Sequence, residues 1–183
     1  MGAGRGPAVF LDRDGTLIED AGYLRDPGGV HVVEGAAEAL AKLRRHGFRL
    51  VVVSNQSGIA RGLIRPAEAV AVHERFVESL HELGAELDDV RYCPHAPGEG
   101  CPCRKPAPGL LLEAAEALGI DLARSYAIGD KASDVEAGRR AGCRTVLLAL
   151  PGSREGVEPT GPDCVATGWA DAAHFVTKEL AVR

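Results

Sequence analysis

Residues 8–16 read Ala8-Val9-Phe10-Leu11-Asp12-Arg13-Asp14-Gly15-Thr16. Four apolar residues run into two acids and a glycine, the pattern of a short strand buried on both faces that ends in a polar turn. In extended backbone, residues i and i+2 point the same way. That places the Asp12 and Asp14 carboxylates together and sends Arg13 to the opposite side, where it has no assigned role. Two carboxylates so placed repel each other unless a cation or proton intervenes. Mg²⁺ suits an oxygen-only site and keeps room for water and phosphate oxygens. Gly15 permits a sharp turn, and Thr16 can fix it by a local hydrogen bond. An acidic pair at a strand end can also be plain surface polarity, so the surrounding chain has to decide.

Working outward, Arg49 to Ser54 (RLVVVS) is a second nearly continuous apolar run. Further strands are expected at 90–93, 125–128 and 145–150, with a weak one at 164–166. Helical patterns lie between them at 34–46, 66–84, 108–119, 133–141 and from about 170 onward. Ala36, Leu40 and Leu43 share one face of the first helix, and Gly47 stops it. Val72, Phe76, Leu80 and Leu83 form the expected core stripe of the second. Residues 15–33, rich in Gly, Pro and Asp, read as an irregular flap. Strands alternating with helices predict an α/β fold: three layers, doubly wound, with a mostly parallel, Rossmann-like sheet. Polar residues follow three strands: Asp12 and Asp14, then Ser54, Asn55 and Gln56, then Asp130. Open α/β sheets bind ligands at the carboxyl ends of their strands, so these residues are expected to converge.

The chain has 183 residues and a mass of 19.2 kDa, which fits one domain spanning 1–183. A formal charge of −5 and 4% aromatics exclude a basic nucleic-acid footprint and base-stacking platforms. Asp12 interrupts the opening stretch too early for a signal peptide, and no apolar run reaches transmembrane length. A cytoplasmic protein is expected, with no membrane or nucleic-acid partner, as a monomer or weak homodimer.

Cys93-Pro-His95, five intervening residues and Cys101-Pro-Cys103 make two i, i+2 pairs. In extended backbone each pair can bite one metal, and Pro94 and Pro102 favour that extension. Three Cys and one His suit a closed tetrahedral structural Zn²⁺ site in a loop over 93–103. A disulfide does not suit a cytoplasmic chain. Cys143 and Cys164 flank strands and read as packing residues.

Taken together, VFLDRDGTL, Ser54 after a buried strand, Lys105 before a helix, and Asp130 with Asp134 in IGDKASD resemble, in order, the four motifs of the haloacid dehalogenase superfamily of phosphatases. The resemblance implies that Asp12 is a nucleophile forming an aspartyl-phosphate. It makes Asp14 the acid that protonates the leaving oxygen and then the base that deprotonates water. It makes Ser54 and Lys105 the holders of phosphoryl oxygens. Catalytic Mg²⁺ would bind Asp12, the Asp14 backbone carbonyl and Asp130, with Asp134 orienting Lys105 and capping its helix. Of 17 Arg and 4 Lys, Lys105 and Lys131 fall inside motif segments, where a compact point charge serves better than a guanidinium fork. Predicted elements fill the chain from Asp14 to Asn55 and from Ser54 to Lys105, which leaves no room for a cap domain.

CPH…CxCRKP with NQSGIARG further resembles the D-glycero-D-manno-heptose 1,7-bisphosphate 7-phosphatases. That resemblance places Asp20, Gly22, Tyr23, Ser54, Asn55, Gln56, Ser57, Arg104, Lys105 and Lys131 near a phosphorylated sugar. Arg104 suits the second phosphate, because its planar fork matches phosphate oxygens. The implied activity is removal of the 7-phosphate in heptose biosynthesis. The alternatives are a histidinol-phosphate phosphatase, another small-molecule phosphomonoesterase, or a zinc-stabilised module that binds phosphate esters without hydrolysing them.

Overall fold

The computed structural model describes residues 5–150 and 161–178. Strands β1 (Ala8–Leu11), β2 (Arg49–Asn55), β3 (Asp89–Cys93), β4 (Tyr126–Gly129), β5 (Arg144–Leu148) and β6 (Cys164–Ala166) form one sheet. Its order is β3-β2-β1-β4-β5-β6, and every pairing is parallel. Helices α1 (Ala36–Arg45), α2 (Pro66–Glu82), α3 (Gly109–Leu118), α4 (Ala132–Ala141) and α5 (Trp169–Lys178) cover its two faces.

Strand alternation sorts the core into two layers. Val9, Leu11, Leu50, Val52, Ile128 and Val146 face α1, α2 and α5. Ala8, Phe10, Val51, Val53 and Ala127 face α3 and α4. Because both faces are covered, β1 and most of β2 lack polar alternation, and their apolar runs are continuous. The expected elements all form, with ends shifted by a few residues. One expected core position fails: Leu83 follows the last turn of α2 and is 58% exposed, whereas Val72, Phe76 and Leu80 are buried. The stripe ends where the helix ends, so the i+11 position no longer lies on its buried face.

The flap at 15–33 is irregular but tied down. Short bridges join Asp14 to Ile18 and Ile18 to Val32, and the Trp169 indole donates to the Thr16 carbonyl at 3.0 Å. The winding order reverses between β1 and β4: the chain winds outward from β1 to β3, then crosses back to β4. This is the switch point at which such sheets open a crevice, and Asp12 and Asp130 stand at its rim, each directly following its strand. Among the described residues, no helix is long and apolar enough to cross a membrane.

Candidate active site and metal centres

Asp12 leaves β1 with its N–H bonded to the Ile128 carbonyl at 3.0 Å. Its Oδ1 accepts from Lys105 Nζ at 2.6 Å. Lys105 also donates to the Val53 carbonyl at 2.7 Å and lies 2.6 Å from Asp134 Oδ1. All three side chains are buried. Burial alone would lower the Lys105 pKa, but Asp12 and Asp134 outweigh it, and the ammonium is held well above the usual lysine range. Burial pushes Asp134 up to about 6, against the pull of Lys105 and with further upward pressure from Asp12. The second Asp134 oxygen accepts the Lys131 N–H at 3.0 Å, which caps α4 as expected.

Ligand atoms of Asp12, Asp130 and Asp134 lie within 4.8 Å of one another. Asp130 enters this group because residue 15 is glycine: a Cβ there would run into the Asp130 carboxylate. Gly15 also has φ +86°, the left-handed region. Thr16 fixes this corner, though not locally: its hydroxyl donates to Asp130 Oδ1 at 3.2 Å, across the switch point. Burial raises the pKa of Asp130, and Asp12 adds to the rise against the pull of Lys131. A buried, oxygen-only cluster with excess negative charge fits Mg²⁺. Lys105 and the α4 cap occupy Asp134, which leaves Asp12, Asp130 and the Asp14 carbonyl as the groups that could hold the ion. Lys131 Nζ lies 3.2 Å from that carbonyl, 3.4 Å from Asp130 and 3.5 Å from Asp20.

Asp14 corrects the strand-based expectation. The chain turns immediately after Asp12, and the Arg13 carbonyl accepts the N–H groups of Thr16, Leu17 and Ile18. Alternation therefore stops, and Arg13 folds back to grip the Asp14 carboxylate instead of pointing away from it. Gln56 Nε2 donates to Asp14 Oδ2 at 2.6 Å and to Ser54 Oγ at 3.0 Å. Burial raises the Asp14 pKa; Arg13 opposes that rise, and Asp12 adds to it.

Asn55 clamps the Lys105 backbone from both sides, donating to its carbonyl at 3.1 Å and accepting its N–H at 3.0 Å. Arg104 donates to the His95 carbonyl at 3.1 Å. On the opposite rim Asp20 accepts the Gly22 N–H, and Ser57 accepts the Arg61 N–H at 3.1 Å through its carbonyl. The Tyr23 hydroxyl accepts from Arg61 at 2.5 Å, and the guanidinium lies over the ring. Arg61 and Arg13 were not singled out in the sequence. The only signal for Arg61 was its place in SGIARG; for Arg13 it was its place between the two acids.

The four sulfur and nitrogen donors of the Cys/His loop meet in one cluster. Sγ–Sγ distances among Cys93, Cys101 and Cys103 run from 3.2 to 3.7 Å. His95 Nδ1 lies 3.5 Å from Cys93 and 3.2 Å from Cys103. A tetrahedral zinc centre with Zn–S of about 2.3 Å has Sγ–Sγ edges of about 3.8 Å, so this donor set matches zinc after slight expansion. Burial pushes the Cys93 thiol up to about 12, so a cation is needed for it to serve as a thiolate at neutral pH. Gly109 lets the loop seat on α3: a Cβ there would meet the Pro102 backbone. Cys143, by contrast, is a packed core thiol whose burial raises it to about 12.

Comparison with known proteins agrees with this geometry. Residues 9–92 match the haloacid dehalogenase-like hydrolase family model, and residues 102–172 match the HAD-hydrolase-like model. A D-glycero-beta-D-manno-heptose-1,7-bisphosphate 7-phosphatase of Yersinia pestis is 42% identical over 96% of this chain and 92% of its own length. The enzyme of the same name from Escherichia coli K12 is 40% identical over 96% and 90%. The crystal structure of D,D-heptose 1,7-bisphosphate phosphatase from B. bronchiseptica, complexed with magnesium and phosphate, superposes with a TM-score of 0.84. It is 33% identical and covers 94% of this chain and 99% of that one.

Proposed function

We propose a reaction for this chain from the premise that it belongs to the haloacid dehalogenase-like hydrolases: it removes the 7-phosphate of D-glycero-D-manno-heptose 1,7-bisphosphate. The observation that carries the reading is the meeting of Asp12, Asp14, Ser54, Lys105 and Asp130 at the carboxyl ends of β1, β2 and β4. We read residues 1–183 as one phosphatase domain.

In the proposed mechanism an Asp12 oxygen attacks phosphorus, and Asp14 delivers a proton to the departing sugar oxygen. Water then attacks the aspartyl-phosphate, and Asp14 takes its proton. Splitting the displacement this way replaces one difficult step with two easier ones. Lys105 is already fixed beside the nucleophile, so it meets the phosphoryl charge without reorganisation. Ser54 supplies a second donor, with its Oγ held by Gln56. Mg²⁺ held by Asp12, Asp130 and the Asp14 carbonyl would supply the positive charge that lets an anionic nucleophile approach an anionic phosphate. Arg104, Lys131 and the Asp20–Tyr23 rim would hold the sugar and the second phosphate.

The test is phosphate release from each anomer of heptose 1,7-bisphosphate and from histidinol phosphate. At least a hundredfold preference in kcat/KM for a heptose anomer is expected, about 2.7 kcal/mol of differential transition-state binding. A preference for histidinol phosphate would keep the mechanism and overturn the substrate. Binding of phosphate esters with no release would overturn the enzyme reading itself.

The zinc loop carries Arg104 and Lys105 directly after Cys103, so its metal should set the position of both. Cys103→Ser is expected to lose most of its zinc and at least about 2 kcal/mol of stability, on the order of 5 °C for a domain of this size. Metal analysis and thermal unfolding check this. An unchanged melting temperature after the zinc is stripped would remove its structural role.

A further inference from the structure

Arg13 is almost fully buried, with 3% of its surface exposed. Its Nε and Nη2 donate to Asp14 Oδ1 at 3.1 and 3.0 Å, and Nη2 also donates to Oδ2 at 3.0 Å. Gln56 Nε2 supplies a further bond to Oδ2. Among the described residues, the hydrogen-bond partners of that carboxylate are both donors. This arrangement fixes the orientation of the Asp14 carboxylate.

Arg13 is itself held at both ends. Its carbonyl closes the turn at Thr16, Leu17 and Ile18. Its guanidinium lies 5.4 Å from the centre of the Tyr92 ring. The Tyr92 hydroxyl in turn lies 2.9 Å from His73 Nδ1 on α2. The remaining space beside the fork, walled by Leu24, Gln56 and Ile59, is a cavity of about 20 Å³, room for at most about one water.

We propose that Arg13 is a positioning residue that aims the Asp14 carboxylate at the attacking water. The inference rests on the reading of Asp12 as nucleophile and Asp14 as acid and base. In that step the water oxygen bonds to phosphorus, and the P–Oδ bond to Asp12 breaks. Its electron pair returns to the Asp12 carboxylate, and the water's proton passes to Asp14. With a leaving group that needs no proton from Asp14, loss of the fork should therefore slow dephosphorylation more than phosphorylation.

Rapid-quench kinetics with 4-nitrophenyl phosphate test this, because an aryl oxygen departs without needing a proton from Asp14. Arg13→Lys and Arg13→Met are expected to release about one equivalent of nitrophenol in a burst. They should then turn over on the order of 10²-fold more slowly than wild type, with phosphate trapped on Asp12. Tyr92→Leu, which strips the platform behind the fork from outside the carboxylate cluster, should show the same split in weaker form. It carries the test if the Arg13 variants do not fold. Equal slowing of both half-reactions, with no trapped phosphate, would overturn the proposal. Asp14→Asn is the reference. If it traps phosphate and the Arg13 and Tyr92 variants do not, only the role of Arg13 fails. If it also traps none, the reading of Asp14 fails with it.

Discussion

Asp12→Asn is expected to release phosphate on the order of 10⁵-fold more slowly than wild type, the scale on which removal of a covalent nucleophile acts, while the fold persists. The amide matches the carboxylate in shape but cannot form the acyl phosphate. Its structural cost is small for a specific reason. Lys105 would keep Asp134 and the Val53 carbonyl as partners, and Asp12 is one of three crowded acids, its charge raising the pKa of Asp130 and Asp134. Removing one negative charge from that cluster relieves repulsion. The melting temperature without Mg²⁺ should therefore stay level or rise, and the gain on adding Mg²⁺ should shrink. Phosphate release and thermal unfolding with and without Mg²⁺ check both parts. Activity within tenfold of wild type would remove Asp12 as nucleophile. Loss of activity together with the fold would make its role structural.

Lys105→Met is expected to fail in both respects. It leaves Asp12 and Asp134 buried without their shared cation, a change that costs about 3–5 kcal/mol when one partner of a buried pair is removed. On a domain of this size that is a fall of roughly 10 °C in melting temperature. It also removes the charge that meets the phosphoryl oxygens, so kcat should drop by at least about 10²–10³-fold in the fraction that folds. The pH dependence follows from the shifted groups. The folded lysine loses its proton later than the unfolded one. Its stabilising contribution is therefore complete below the unfolded lysine's pKa of about 10.4 and is lost only as pH rises through the higher folded value. In acid the difference between wild type and variant should narrow, because Asp134 takes up a proton as pH falls through about 6. Denaturant unfolding of both chains from pH 5 to 10 checks this. A difference that grows toward acid would show that the ammonium is not the partner of these carboxylates.

Much of the architecture was legible because it is written locally. The continuous apolar runs of β1 and β2 marked strands covered on both faces. Glycines such as Gly47 and Gly119 marked helix ends. The paired i, i+2 spacing of Cys93, His95, Cys101 and Cys103 was enough to place four donors on one centre, since eleven residues of chain can close on a metal without help from the rest of the fold. The sequence by itself thus determined the α/β class, the identity of the clustered acids and the four Cys/His donors that meet in one loop.

Only the tertiary structure decided how distant residues meet. Lys105 reaches Asp12 across 93 positions, Thr16 reaches Asp130 across 114, and Trp169 reaches Thr16 across 153. Nothing in periodicity records those pairings, because a period states which face a residue lies on and not which neighbour occupies that face. Arg13 shows the same limit at closest range. Its sequence position predicts the far side of a strand, but the strand ends two residues earlier, at Leu11. Whether alternation continues past Asp12 depends on where the Arg13 carbonyl finds its donors, and those are set by the turn through Gly15 and the packing of Asp130 against it.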